Sequence, residues 1–128
     1  MVLYVEDNSA NVVFMEDLMS TFEDISLLVA PTAEIGIELA RARQPEAIIM
    51  DINLPGMSGL DALRALRDGN ETKAIPVIAL SAAASDRDRQ RAMQAGFYRY
   101  LTKPVKVDEF IDAPEEVLLA APPRQPHR

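Results

Sequence analysis

The fold is decided by the stretch AIIMD, residues 47–51, in which four consecutive apolar residues run directly into an aspartate. A short apolar run that ends at a charged residue is typical of a parallel strand buried on both faces. Similar runs occupy residues 2–5, 25–30 and 75–80, and a weaker one lies near residues 98–101. The sequence therefore predicts five short buried strands.

Amphipathic stretches separate these runs, and each predicts a helix. The residues expected to face the core are Val12, Val13, Met15, Leu18, Met19 and Phe22 in the first helix, Ile35, Leu39 and Ala42 in the second, and Leu60, Leu63 and Leu66 in the third. The fourth, residues 85–96, alternates Asp and Arg, and we expect Met93 and the alanines to face inward. Capping residues mark the ends: Asn8 or Ser9, Thr32, and Ser85 or Asp86 at helix starts, and Gly69 and Asn70 after the third helix.

Strands alternating with helices predict an α/β fold, (βα)5, with a doubly wound five-stranded parallel sheet and helices on both faces. In such sheets, functional groups gather beyond the carboxyl ends of the strands, where the strand order reverses. The residues to inspect therefore follow each apolar run. They are Glu6, Asp7, Asp51, Ser81, Thr102, Lys103 and Pro104.

Three of these residues, Glu6, Asp7 and Asp51, are carboxylates that should meet at one end of the sheet. Crowded carboxylates raise one another's pKa unless they share a cation, and oxygen ligands suit a hard ion such as Mg²⁺, or Mn²⁺ in its place. Lys103 adds a positive charge and Ser81 a hydroxyl, both able to hold phosphoryl oxygens. The pattern predicts a phosphoryl-binding pocket, in which a carboxylate such as Asp51 would be a competent nucleophile toward phosphorus and would give an acyl phosphate.

Composition narrows the remaining possibilities. The chain has 128 residues, no Cys, and 20 acidic against 13 basic residues. One compact domain is expected at this length, thiolate chemistry is excluded, and the acid excess disfavours direct nucleic-acid binding. The first apolar run is too short for a signal peptide or membrane span, so a cytoplasmic location is expected. The only His, His127, falls in a Pro-rich tail, residues 121–128, that is predicted to be disordered.

Together, these motifs resemble the receiver domain of two-component response regulators over residues 2–119. The matching segments are VEDN at 5–8, MDINLPGMSG at 50–59, ALSA at 79–82 and YLTKP at 100–104. The resemblance implies a flavodoxin-like fold in residues 1–120 and a phosphorelay function, with Asp51 as phosphoacceptor in a Mg²⁺-dependent reaction. The implied donor is a phosphohistidine on a histidine kinase or a histidine phosphotransfer protein, since the chain itself offers no suitable His.

The resemblance also implies a role for each site residue. Asp7 and Asp51 would bind the metal directly, Glu6 through water and Asn53 through its backbone carbonyl, while Ser81 and Lys103 would bind the phosphoryl group. Ser81 and Tyr100 would form a two-state switch that signals through the fourth helix, fifth strand and fifth helix. The residues implied to shape loops or tune phosphoryl lifetime are Pro55, Gly59, Pro104, Asn53 and Ala83. We also expect positive φ at Gly56 and Gly59.

Several alternatives stay open. The chain could be a receiver that binds partners without phosphorylation, or a Mg²⁺-dependent phosphohydrolase of the haloacid dehalogenase kind, although that family has a second Asp where this chain has Asn53. A flavin carrier of the same fold would need a Ser/Thr-rich phosphate loop after the first strand. Pro114 is expected to kink or break the last helix, residues 107–119. The sequence is compatible with a stand-alone relay protein or with part of a hybrid kinase or larger regulator.

Overall fold

The computed structural model describes residues 1–22, 25–52, 56–82 and 85–103. Its strands are β1 (Val2–Val5), β2 (Leu27–Ala30), β3 (Ala47–Asp51), β4 (Val77–Ser81) and β5 (Arg99–Thr102). Its helices are α1 (Ser9–Met19), α2 (Ala33–Arg43), α3 (Gly59–Asp68) and α4 (Asp86–Ala95). The predicted alternation of strands and helices is confirmed.

The five strands form one parallel sheet in the order β2-β1-β3-β4-β5, which is the flavodoxin-like order. Every residue of β1, β3 and β4 is buried, as the continuous apolar runs predicted. The chain passes from β1 to its neighbour β2 at one edge and then returns past β1 to β3, so the strand order reverses between β1 and β3. The expected binding crevice therefore lies between the carboxyl ends of these two strands.

Helices cover both faces of the sheet, and each face has its own apolar core. On one face, α1 contributes Met15, Leu18 and Met19, which pack with Tyr4, Ile49 and Leu80 among others. On the other face, α2, α3 and α4 pack on the opposite side chains of the same strands, including Leu3, Val5, Ile48 and Met50. Because successive strand residues point to opposite faces, β1 and β3 serve both cores.

The helix starts agree with the predicted capping residues. The Asn8 side chain accepts a hydrogen bond from the Asn11 N–H at 3.1 Å, which begins α1. Thr32 and Ser85 cap α2 and α4 in the same way, each accepting at 3.1 Å from the N–H three residues later. Gly69 ends α3, as expected. These caps fix where each helix leaves the carboxyl end of the preceding strand.

The predicted inward face of α2 is wrong for Ile35 and Ala42, whereas Leu39 is half-buried and packs against the core as expected. Ile35 is 41% exposed and Ala42 is exposed, whereas the buried residues are Ala33, Gly36, Ile37 and Ala40. The cause is a close approach: a Cβ added to Gly36 would lie 2.8 Å from a methyl carbon of Val5. Gly36 therefore faces the sheet together with Ala33, Ile37 and Ala40, and Ile35 is turned outward.

Three further residues predicted to face the core are exposed. Val13 in α1 is 55% exposed and Leu60 in α3 is 40% exposed, although their helices bury the other leucines and methionines expected. In α4, Met93 is 46% exposed and Ala92 is the buried residue. A helix buried through one alanine has little apolar area to hold it against the sheet.

Some sequence predictions fall outside the described residues. These are the ones on Asn53, Pro55, Ala83, Pro104 and Pro114, on the last helix and on the tail at residues 121–128. Within the part of the chain that the structure describes, no helix is long and apolar enough to cross a membrane.

Candidate functional site

Three acidic side chains meet at the carboxyl ends of β1 and β3. Glu6 and Asp7 directly follow β1, and Asp51 is the last residue of β3. One carboxylate oxygen from each lies within 4.8 Å of the others. Glu6 and Asp51 are buried, whereas Asp7 is exposed at the rim. We call Glu6, Asp7 and Asp51 the acidic cluster; it brings together the carboxylates that the sequence placed at this end of the sheet.

Backbone hydrogen bonds between neighbouring strands hold the residues of this site in place. The Glu6 N–H donates to the carbonyl of Ala30 at 2.9 Å, which ties the start of the cluster to β2. The Lys103 N–H donates to the Ser81 carbonyl at 2.8 Å, just after β5. The site is therefore built on the rigid sheet, although its side chains come from distant parts of the sequence.

Lys103 bridges two members of the acidic cluster. Its ammonium Nζ lies 2.7 Å from Asp51 Oδ2 and 3.3 Å from Glu6 Oε1. Burial lowers the pKa of Lys103, but the neighbouring Asp51 and Glu6 carboxylates outweigh it, and the pKa lies above its usual value. The ammonium is therefore charged at neutral pH and is held closest to Asp51.

Glu6 is the most enclosed carboxylate of the cluster and has three donors. Its Oε1 accepts from the Tyr4 hydroxyl at 2.9 Å and from Lys103, and its Oε2 accepts from the Asn8 N–H at 3.3 Å. Burial and then the nearby Asp51 carboxyl raise the pKa of Glu6, while the Tyr4 and Asn8 hydrogen bonds act in the opposite direction. The Tyr4 and Asn8 donors thus stabilise the negative charge of Glu6, which burial and the Asp51 carboxyl disfavour.

The sequence does not single out Tyr4, because it stands inside an apolar run that is expected to form a buried strand. A usable signal was present, however. Alternate residues of a strand point to the same face, so the side chains at positions 4 and 6 lie on one side. Burial and then the Glu6 carboxylate raise the pKa of Tyr4 well above its usual range, which keeps its hydroxyl protonated as a donor.

Ser81 lies on β4, which neighbours β3, and Tyr100 lies on β5, the next strand of the sheet. Ser81 is the buried last residue of β4 and stands beside Thr102 of β5. Tyr100 is 3% exposed and packs in the core on the α4 face. The Arg89 guanidinium of α4 lies 5.3 Å from the Tyr100 ring centroid and donates to the Tyr100 carbonyl at 3.2 Å. Arg89, which the sequence did not single out, thus joins α4 to the strand carrying Tyr100.

Gly56 and Gly59, the two glycines that follow Asp51, have different structural roles. Gly56 has φ of 84°, the left-handed conformation that was expected. The same expectation for Gly59 is wrong, because Gly59 begins α3 without a positive φ. A Cβ there would lie 2.6 Å from Cγ2 of Ile52 and 2.9 Å from its Cα. Gly59 lets α3 start against the residue that follows Asp51.

The charges and ligand types of the site fit a hard divalent cation. Three carboxylates face one lysine ammonium, which leaves two negative charges among the described residues of the pocket. A divalent ion would balance them. All three available ligands are oxygens, as Mg²⁺ prefers, and exposed Asp7 leaves a side open for water or a phosphoryl group.

The five-stranded parallel sheet, with an acidic cluster and a lysine at its carboxyl end, agrees with the resemblance of the sequence motifs to receiver domains. Residues 2–115 match the family model of the response regulator receiver domain. The chain therefore belongs to this family, and it is a receiver domain of a two-component system. This membership favours neither the phosphohydrolase nor the flavin carrier.

Individual relatives and solved structures also support membership of the receiver-domain family. The polar-differentiation response regulator DivK of Brucella anthropi is 40% identical over 113 residues, which cover 87% of this chain and 89% of DivK. The receiver domain of a sensor histidine kinase from Pseudomonas aeruginosa, solved with a magnesium ion in its active-site cleft, is 30% identical with a TM-score of 0.78 over 94% of each chain. The Saccharomyces cerevisiae Ssk1 receiver domain, solved with the histidine phosphotransfer protein Ypd1, is 27% identical with a TM-score of 0.77, covering 87% of this chain and 83% of that one.

Proposed function

We propose that this receiver domain accepts a phosphoryl group on the carboxylate of Asp51. The observation that carries the proposal is the position of Asp51 at the end of a central strand, with the Lys103 ammonium 2.7 Å from its Oδ2. An Asp51 oxygen attacks phosphorus, the bond from phosphorus to the donor nitrogen breaks, and the donor imidazole leaves. The product is an acyl phosphate. Lys103, already beside the attacking group, stabilises the phosphoryl oxygens.

We further propose that Glu6, Asp7 and Asp51 hold Mg²⁺, with Mn²⁺ as a possible substitute. When bound, the ion supplies positive charge to the transferring phosphoryl oxygens. Support comes from the oxygen ligands of the acidic cluster and its two uncompensated negative charges. Asn53 as a further ligand through its carbonyl, and Pro55 and Pro104 as loop-shaping residues, remain predictions on residues outside the described ranges.

Ser81 and Tyr100 are proposed to convert phosphorylation into a signal. Ser81 ends β4 next to β5, the strand that Lys103 follows, and would offer its hydroxyl to the phosphoryl group. The burial of Tyr100 supports the expectation that its ring can occupy an inward position. We expect the surface of α4, β5 and the last helix to bind the output partner. Weak burial of α4 through Ala92 supports a movable element there.

The proposed donor is a phosphohistidine of a histidine kinase or a phosphotransfer protein. Receiver domains interact with such proteins, and the relative from yeast was solved with its phosphotransfer partner. The chain has one His in all, at position 127, far along the sequence from every site residue, so the donor belongs to another protein or domain. The cytoplasm is the proposed location, as expected for a partner of kinase domains.

The experiment is to incubate the chain with Mg²⁺ and acetyl phosphate and to measure the phosphoprotein by intact mass. Asp51→Asn should abolish the adduct, and EDTA should abolish it in the unaltered chain. The matched control is Asp68→Asn, which removes one negative charge from an exposed position on α3 and should label normally. Labelling of Asp51→Asn equal to the wild type would reject the assignment. Absence of any adduct would favour a receiver that acts without phosphorylation.

A further inference from the structure

The hydroxyl of Tyr4 makes a contact that packing alone does not explain. Tyr4 lies in the middle of β1 and is 1% exposed, and its hydroxyl donates to Glu6 Oε1 at 2.9 Å. A buried phenol needs an acceptor, and many buried positions offer a backbone carbonyl. Here the acceptor is a carboxylate of the acidic cluster, so the core and the pocket are joined by one hydrogen bond.

The same Glu6 oxygen has a second donor that also serves Asp51. Lys103 Nζ lies 3.3 Å from Glu6 Oε1 but 2.7 Å from Asp51 Oδ2. Glu6 therefore competes with Asp51 for one ammonium. A glutamate side chain has one more rotatable bond than an aspartate and can swing further toward a cation unless it is held.

Two hydrogen-bond donors restrict that movement of the Glu6 side chain. The Tyr4 hydroxyl holds Oε1, and the Asn8 N–H at 3.3 Å holds Oε2. Tyr4 is rigidly packed in β1 against α1, and Asn8 caps the same helix, so both donors are set by the fold. Without the Tyr4 hydroxyl, Lys103 would be the one remaining donor to Glu6 Oε1 among the described contacts.

We propose that Tyr4 is a positioning residue of the pocket, an inference that rests on the proposed function. Its hydroxyl holds the Glu6 carboxylate in the acidic cluster, where it serves the cation together with Asp7, and keeps it from drawing Lys103 away from Asp51. Tyr4 touches neither the phosphoryl group nor the metal and acts through Glu6.

The test compares Mg²⁺ binding by Tyr4→Phe and the unaltered chain, with amide chemical shifts titrated against Mg²⁺. The substitution keeps the ring and removes only the hydroxyl. We expect roughly tenfold weaker binding, the lower end of the losses seen when groups behind metal ligands are removed. The control is Tyr98→Phe, which removes a hydroxyl from a half-buried tyrosine packed against the same core and should bind Mg²⁺ like the unaltered chain.

A double-mutant cycle shows whether Tyr4 acts through Glu6. In a Glu6→Ala background the phenol has no carboxylate to hold, so adding Tyr4→Phe should change the Mg²⁺ affinity by less than about twofold. An undiminished effect in that background would overturn the proposal. So would equal Mg²⁺ affinity of Tyr4→Phe and the unaltered chain.

A second measurement needs no metal and therefore separates this inference from the proposed function. The side-chain nitrogen signal of Lys103 should shift in metal-free Tyr4→Phe, since Glu6 moves toward the ammonium, and should not shift in Tyr98→Phe. An unchanged Lys103 signal in Tyr4→Phe would overturn the positioning role while leaving Asp51 phosphorylation intact. Failure of the proposed function would instead appear in the unaltered chain, as absent Mg²⁺ binding or an adduct that survives Asp51→Asn.

Discussion

Replacing Lys103 with methionine keeps an unbranched side chain that is one atom shorter and removes the ammonium shared by Asp51 and Glu6. Both carboxylates lose their ion pair in a pocket where the Asp51 side chain is 6% and the Glu6 side chain 1% exposed. Removing one partner of a fully buried ion pair costs about 3–5 kcal/mol. Because the Lys103 side chain is 24% exposed, we expect a smaller loss here, about 2–3 kcal/mol without Mg²⁺.

The assay is equilibrium unfolding in urea, with and without Mg²⁺. A loss of this size should lower the urea midpoint by roughly 1–2 M. Mg²⁺ should recover part of the loss and should stabilise Lys103→Met more than the unaltered chain, because a bound cation raises stability by mass action and no ammonium competes for the carboxylates. The matched control is Lys73→Met, which removes an exposed lysine from the α3–β4 connection.

The control should change the unfolding free energy by less than about 0.5 kcal/mol, as exposed substitutions usually do. An equally small change for Lys103→Met, or a loss that Mg²⁺ leaves untouched, would refute this account. Either result would mean that the Lys103 ammonium does not offset the repulsion among the carboxylates of the acidic cluster.

Three further substitutions test the fold by urea unfolding. Gly59→Ala pushes a Cβ to 2.6 Å from Ile52 and should cost about 1–3 kcal/mol; unchanged stability would disprove the close approach. Thr72→Val removes a buried hydroxyl that donates to the Leu66 carbonyl at 2.6 Å and should cost about 1–3 kcal/mol, whereas a neutral result would deny that bond a role. Ser85→Ala removes the α4 cap and should cost about 1 kcal/mol; full helix stability without it would contradict the capping assignment.

The site was predictable from the sequence to the extent that it depends on strand ends. Asp51 and Ser81 each follow a continuous apolar run, and in a parallel sheet those runs end side by side. The register bears this out, since Asp51 pairs with Leu80, the residue before Ser81. The meeting of the three carboxylates follows from the same rule, because β1 and β3 are neighbours at the reversal of strand order.

What the sequence could not give depends on packing between elements. The periodicity of α2 favoured Ile35 and Ala42 as core residues, but the helix comes close to β1 at Gly36, and the side that carries Gly36 and Ile37 faces inward. The same limit applies to Gly59, which was expected to adopt a positive φ and instead allows a close approach. Apolar character does not reveal how near two elements come.

The pairing of polar groups was also beyond sequence reasoning. A lysine at a strand end is expected to face the pocket. Whether its ammonium lies nearer to Asp51 or to Glu6, however, depends on distance differences of less than 1 Å. Tyr4 illustrates the limit from the other side, since a tyrosine in an apolar run belongs to the core and, through its hydroxyl, also to the pocket. Only the three-dimensional arrangement shows which group that hydroxyl meets.

The central claim is that Asp51 carries the phosphoryl group, and its most direct test locates the modified residue. The chain is phosphorylated with acetyl phosphate and Mg²⁺, reduced with borodeuteride, digested and analysed by mass spectrometry. Reduction of an acyl phosphate converts its aspartate to deuterium-labelled homoserine. We expect this label at position 51 and its loss when EDTA is present during phosphorylation. A label at Asp7, or at an acidic residue outside the pocket, would contradict it.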